Sequence, residues 1–381
     1  MDRSAGIGVA VVGLGFGAEF VPIYRDHPHV GNLVACDADG ALLSEVATAA
    51  RPDRATTRLD DVLEDPAIDA VHLVTGIPSH AELTVRALEA GKHVACTVPM
   101  ALTLAELDAV VDACERTGRR YMMMETAVYG REFFLARSMM ERGAFGTVVH
   151  ARGTHFQDMT GWPAYWHGLP PMAYATHAIS PILALLDTEA SRVQALGSGR
   201  LRADQRGRYE NPFPLETALV ELAGRDVVVD LTRSLVSTAR GYTESFSVYG
   251  DRRSFEWPQL EGELPVVFSM GEPELDRGRP VEAERPEPPD RLDLLPEPLH
   301  RYTRALVHDS EDHLSVVQGG GHGGSHPHLV HEFVSSIVEE RAPYVDHRRA
   351  AAWTAVGIVA HESAMAGGSP LTVPSYLGAR A

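Results

Sequence analysis

Lysine is almost missing from this chain: Lys92 is the only one among 34 basic side chains, and all the others are arginine. A reaction that needs an amine near neutrality therefore has a single candidate in the entire sequence. Cysteine is scarce too. Cys36, Cys96 and Cys114 all fall in the first third, show no zinc-ligand spacing, and read as free thiols of a reducing compartment. No apolar run is long enough to cross a bilayer, and Met1-Asp2-Arg3-Ser4-Ala5 is unlike a signal peptide, so a cytoplasmic protein without a membrane partner is expected. Positive charge is in deficit, with a formal net charge of −18, which argues against a nucleic-acid partner. A length of 381 residues suits two domains, each with its own core.

What is present begins at residues 6 to 20, an apolar run that breaks into Gly13-Leu14-Gly15-Phe16-Gly17-Ala18 and continues with helical character. Gly13 suits a tight strand-to-helix turn, Gly15 a close approach of the backbone to a pyrophosphate, and small Ala18 close packing of helix on strand. A second apolar run, 32 to 36, ends in Asp37, whose carboxylate would accept from ribose hydroxyls and repel a 2′-phosphate. The cofactor expected is NAD.

Through residue 124 short apolar runs alternate with amphipathic stretches, which predicts a doubly wound parallel sheet with strands near 6–12, 32–36, 69–75, 93–97 and 120–124. Ser79 with Glu82, and Thr103 with Glu106, read as capping boxes opening two helices. After Tyr129 the texture changes. A helix near 130–143 precedes β-rich runs at 147–152, 218–222 and 226–232, predicting a second α/β domain with a large, mostly antiparallel, open-faced sheet. The boundaries expected are 1–127 and 128–381, with 261–297 a surface excursion. Ser325 is expected to cap a helix whose Val330, Phe333, Val334, Ile337 and Val338 form one apolar face. His326 and His328 fall at its start with no evident carboxylate nearby, so no metal site is predicted.

The glycine fingerprint, Cys36-Asp37, Thr75-Gly76-Ile77-Pro78-Ser79-His80, and Ala90-Gly91-Lys92-His93 running on to Thr97-Val98-Pro99 together resemble the glucose–fructose oxidoreductase and inositol dehydrogenase family, Gfo/Idh/MocA. That resemblance implies a Rossmann domain joined to an open-faced α/β domain, a tightly held nicotinamide cofactor, and sugar or cyclitol chemistry. It implies cofactor contacts from Gly13, Gly15, Phe16, Gly17, Asp37, Thr75, Ile77, Pro78, His80, Thr97 and Glu125. A homodimer or homotetramer through the open sheet is also implied.

Two departures carry information. The family's catalytic lysine is replaced by Val98, and the aspartate usual four residues before the catalytic histidine is Ala173. What remains is Tyr174-Ala175-Thr176-His177, with Tyr and His three apart and able to share a helix face. This is similar to a subgroup of NAD-dependent glycoside hydrolases, which resemblance also draws in Gly321-His322-Gly323 and Arg240-Gly241-Tyr242. The residues expected to carry catalysis are His177, Tyr174 and His322, with Tyr129, Arg240 and Tyr242 against the substrate.

Each has a plainer reading. His177 suits a satisfied core, the Tyr174 ring suits packing, and His322 suits a flexible loop. Trp162 and Trp166 suit either stacking on cofactor or sugar, or an aromatic core. Arg233 and Arg240 either grip an anionic substituent or lie on the surface. The function expected is hydride transfer between sugar C3 and nicotinamide, used to hydrolyse a glycoside by oxidation, elimination, hydration and reduction. The alternatives are an ordinary sugar or cyclitol dehydrogenase and a non-catalytic NAD-binding regulator.

Overall fold

A computed structural model describes residues 6–260, 262–273, 278–304 and 320–378. The chain divides into two compact units: Met1–Thr126, Arg291–Ser310 and Gly324–Ala351 form the first, and Ala127–Asp290, Glu311–Gly323 and Ala352–Ala381 the second. The expected single crossing at 127/128 is thus corrected, because later segments return to the first unit.

The first unit is built on β1 (Ile7–Val12), β2 (Val30–Cys36), β3 (Arg54–Thr56), β4 (Ala70–Leu73), β5 (His93–Cys96) and β6 (Tyr121–Met123). They form one parallel sheet in the order β3-β2-β1-β4-β5-β6. Strands covered on both faces are mostly apolar, and β4 and β5 are buried at every position, His72 and His93 included. The polar strand β3 gave no apolar signal and was not anticipated.

Connecting helices are α1 (Leu14–Gly17), α2 (Val21–Asp26), α3 (Gly40–Ala50), α4 (Leu59–Leu63), α5 (His80–Glu89) and α6 (Leu104–Thr117). The Thr103–Glu106 capping box is formed at α6. The one expected at Ser79 is not. Its hydroxyl donates back to Gly76 O and Thr75 Oγ1, and a 3₁₀ turn, Ile77–Ser79, leads into α5 instead.

The second unit contains α7 (Arg131–Glu141), β7 (Val148–Phe156), α8 (Thr176–Leu186), β8 (Ala190–Ser198), β9 (Leu215–Leu222), β10 (Val228–Ser234), β11 (Thr243–Gly250), β12 (Arg253–Glu256), β13 (Val266–Met270) and β14 (Val281–Glu284). With β15 (Leu371–Thr372) the strands order as β14-β13-β12-β11-β7-β10-β9-β8-β15, antiparallel except for β7 and β10. Alternating burial along β9 and β10 leaves one face of the sheet open, with Leu196, Leu219 and Val228 exposed on it. The expected excursion at 261–297 is corrected in part. Residues 261 and 274–277 lie outside the described residues, but β13 and β14 extend the sheet edge from within that stretch.

Helix α9 (His326–Val338) belongs to the first unit, and α10 (His347–Met365) contributes to both. Ser325 does not cap α9 through its side chain, and Val338 is 44% exposed, so the apolar face ends at Ile337. Among the described residues no helix is long and apolar enough to cross a membrane.

Candidate functional site

In the first unit the turn after β1 is set by Gly13, whose φ of 88° is a left-handed conformation that disfavours side chains. A Cβ there would stand 2.5 Å from Val74 O, so the fold itself requires glycine. Gly15 differs. A Cβ on it would meet no protein atom within 4 Å, and the residue is exposed, so the space over this backbone is open to a ligand. Close packing on the sheet belongs to Gly17, whose Cβ would stand 3.1 Å from Val11 Cγ1, and not to Ala18. The helix is also shorter than its apolar run suggests, since α1 ends at Gly17. Phe16 packs edge-on against Phe20 and His326.

Asp37 closes the loop by accepting from Leu14 N at 2.6 Å and Asp39 N at 2.8 Å. Each of its oxygens keeps lone pairs, and the residue is half-buried, so further donors can reach it. An open glycine cradle beside a carboxylate fits a dinucleotide with a free ribose diol.

Thr75, Ile77, Pro78 and His80 gather at the end of β4. His80 is buried, with Nδ1 2.8 Å from Pro99 O and Nε2 3.0 Å from Thr75 O. Two carbonyls need two N–H donors, which only imidazolium supplies. Burial opposes the charge, yet Cys96 and these carbonyls raise the ring to about 9. Thr97 Oγ1 donates to Leu73 O at 3.4 Å, and Glu125 is fully buried just after β6. His326 has the carboxylate partner that the sequence did not suggest, with Glu19 Oε2 at 3.3 Å. His328 is buried. Lys92 donates to the carbonyls of Asp65 and Ile68 at 2.7 and 2.8 Å, a bracing role within the first unit.

In the second unit, strand register lines up a row of polar side chains under α8. Arg233 of β10 pairs with Glu216 of β9 and with His155 of β7, which pairs with Glu244 of β11. All four are buried or nearly so on the covered face, where α8 packs on β7, β10 and β11. Helix α8 brings His177 down onto this row, its Nδ1 3.0 Å from Glu244 Oε1. Tyr242 O–H donates to the other oxygen, Oε2, at 2.6 Å. A carboxylate on Nδ1 fixes the tautomer and leaves Nε2 as the basic nitrogen.

Tyr174 reaches His177 from a 3₁₀ turn, Pro171–Tyr174, rather than from the same helix, with ring centroids 5.4 Å apart. Trp166 packs edge-on against Tyr174 at 5.0 Å, and Trp162 against Trp166 at 5.9 Å. His322 has a φ of 41°, uncommon for a non-glycine residue, and its ring lies 6.4 Å from that of His177. Tyr129 is half-buried beyond the Thr126–Val128 turn.

Arg233 corrects both earlier alternatives, for it is neither exposed nor open to an anion. It has no exposed surface, and its guanidinium donates to Tyr174 O at 3.0 Å, His155 O at 3.2 Å, Ser234 O and Gln157 Oε1 at 3.0 Å. Burial pushes it down to about 10, still charged at neutral pH. Arg240 is occupied by the carbonyls of Gly241 and Gln259. His155 is held well below its ordinary value by burial and then by Arg233, so it is neutral. Burial, and then the charge of Glu244, pushes the Tyr242 phenol far up, so it stays protonated as a donor.

The sequence reading missed Glu244, His155 and Glu216. The one available signal was that Glu244 lies two positions after Tyr242 at the entrance of a strand, where such residues share a face. Val98 and Ala173 are both buried and apolar, so neither replaces the missing lysine and aspartate.

A six-stranded Rossmann unit with this cradle, in one chain with a nine-stranded sheet carrying a His–Glu–Tyr cluster, defines a two-unit nicotinamide-cofactor class of protein. Residues 7–125 match the model of the oxidoreductase family with the NAD-binding Rossmann fold, Gfo/Idh/MocA. It is similar to a glycosyl hydrolase family 109 protein of Shewanella baltica, 32% identical over 197 residues, 48% of this chain and 42% of that one. The match thus spans less than half the length of that relative. A Streptomyces niveus protein described in the same words is 26% identical over 98% of this chain and 78% of its own. In fold the chain is similar to levoglucosan dehydrogenase in complex with NADH and levoglucosan, with a TM-score of 0.77 at 21% identity, covering 97% of this chain and 100% of that one.

Proposed function

We propose that this protein is an NAD-dependent enzyme that hydrolyses a glycoside by oxidising the sugar at C3 and later reducing it again. NAD, when bound, supplies the acceptor and then the donor of the C3 hydride. Gly13, Gly15, Phe16, Gly17 and Asp37 would hold it, with Thr75, Ile77, Pro78, His80, Thr97, Glu125, Trp162 and Trp166 as further contacts. Tyr129, Arg240, Tyr242 and His322 are assigned to the sugar side.

The observation that carries this reading is the buried His177–Glu244 pair, backed by Tyr242, in a chain whose catalytic lysine is Val98. His177 Nε2 takes the O3 proton, Glu244 holds the ring in the tautomer that permits it, and Tyr174 polarises the same hydroxyl. The resulting ketone acidifies C2–H. A base takes that proton as the C1 substituent leaves, water adds across C1 and C2 with C2 reprotonated, and reduction of the ketone closes a cycle whose net change is addition of one water. Similarity to glycosyl hydrolase family 109 proteins supports hydrolysis over net oxidation.

The test offers the protein aryl glycosides and free sugars in deuterated water, following aglycone and NADH together. Aglycone release with deuterium at C2 and no net NADH is expected. Stoichiometric NADH from a free sugar would identify a dehydrogenase instead, and neither product a regulator. We further propose a homodimer or homotetramer that covers Leu196, Leu219 and Val228 on the open sheet. Light scattering of the purified chain reads it directly, and a monomer would refute it.

A further inference from the structure

Elimination at C1 requires a proton for the departing glycosidic oxygen. Within the second unit a carboxyl group outside the His177–Glu244 pair is placed to supply it. Glu132 lies in the first turn of α7, and its Oε2 stands 3.4 Å from where a Cβ on Gly323 would be, so the carboxyl lies against the His322-Gly323 turn. That turn brings the His322 ring to 6.4 Å from His177, the imidazole that Glu244 holds. Two carboxyl groups therefore flank one pair of histidines, in opposite environments. Glu244 accepts from His177 and from Tyr242, contacts that favour its ionised form. Glu132 has no salt bridge among the described residues, and the guanidinium beside it, Arg131, is engaged by Asp290 at 3.1 Å.

We propose that Glu132 is the general acid of the glycosidase reading given above, on which this assignment rests. As the C1–O bond breaks, its electron pair goes to the glycosidic oxygen and the Glu132 carboxyl proton follows. When water later attacks C1, the carboxylate of Glu132 takes the proton that water loses. The surroundings agree with that cycle. Burial raises the Glu132 carboxyl, against the smaller opposing effects of its own backbone amide and Arg131, with the charge of Glu244 adding a last, smaller increment.

The experiment uses one sugar with two leaving groups, dinitrophenol, which departs without help, and methanol, which needs a proton. Glu132→Gln is expected to lower kcat/KM for the methyl glycoside by about 100-fold or more and to change the dinitrophenyl glycoside by less than about threefold. Deuterium exchange at C2 should be unchanged, which verifies the fold and the redox step in the same sample. In the unaltered enzyme, methyl glycoside cleavage alone should fall with rising pH as Glu132 ionises. Equal losses on both leaving groups, no loss on the methyl glycoside, or identical pH profiles would overturn the assignment. If the unaltered enzyme releases neither aglycone, the glycosidase reading itself fails, and that result is seen without any variant.

Discussion

Three ionic side chains of the first unit and the His177 cluster of the second are held by different means. In the first unit Asp37 is met by the amides of Leu14 and Asp39, His80 by the carbonyls of Pro99 and Thr75, and Lys92 by those of Asp65 and Ile68, although buried Glu19 there faces His326. Backbone groups do not titrate, so no proton passes along such contacts, and these residues are suited to binding. In the second unit, Glu244 is met by His177 and Tyr242, which are themselves titratable. Protons can move along such contacts, so this unit is suited to chemistry. The contrast predicts that substitutions in the first unit alter affinity or stability, and those in the second alter turnover.

The largest effect should come from His177→Ala. Loss of a positioned base is expected to lower kcat by about 10³-fold while NAD affinity, read by fluorescence titration, stays the same. An equal fall in NAD affinity would break the contrast.

A smaller effect is expected at His80, and it concerns stability. The folded value of about 9 lies above the ordinary 6.5. Its contribution is therefore fully present below about pH 6.5 and is lost as pH rises through about 9, amounting to no more than about 3 kcal/mol. Denaturant midpoints should fall over that window, and His80→Gln should flatten the slope. A pH-rate profile that moved with this variant would place His80 in the chemistry and spoil the division.

How far each unit could be read from sequence follows the same contrast. Gly13, Gly15 and Asp37 lie at successive strand ends joined by a short crossover, so the turn they form is written locally and was legible. Even there, Ala18 stood in for Gly17 and a Ser79 cap was expected where the hydroxyl turns back to Gly76, because side-chain direction is decided by packing. The row Glu216, Arg233, His155 and Glu244 was illegible. It comes from four strands whose order in the sheet does not follow the sequence, and only register brings them level. His177 and Tyr174 stand out in the sequence because they are three residues apart, while Glu244, which meets His177, is 67 positions away.

Gly15→Val tests the binding half at a lower magnitude. Since a side chain there meets no protein atom, the melting temperature should hold, while NAD binding weakens by about 10- to 100-fold, a cost of about 1.4 to 2.7 kcal/mol. A drop in melting temperature without loss of affinity would mean that the open space does not receive the cofactor. Gly13→Val should differ by destabilising the fold, because of Val74 O.

The smallest effect is expected at the residue whose scarcity marks this chain. Lys92→Met removes two hydrogen bonds to the carbonyls of Asp65 and Ile68 and leaves both acceptors without that donor, which should cost about 1 to 2 kcal/mol of stability. Burial already lowers the Lys92 ammonium from its ordinary value, and a lowered pKa is commonly associated with catalytic lysines. Here the geometry decides otherwise, since Nζ is held by backbone oxygens within the first unit. Turnover at saturating substrate and NAD should therefore stay within about twofold of the unaltered enzyme, a difference below about 0.5 kcal/mol. A large fall in kcat with the fold intact would return the sole lysine to the reaction and remove the reason for assigning its proton chemistry to His177 and Glu244.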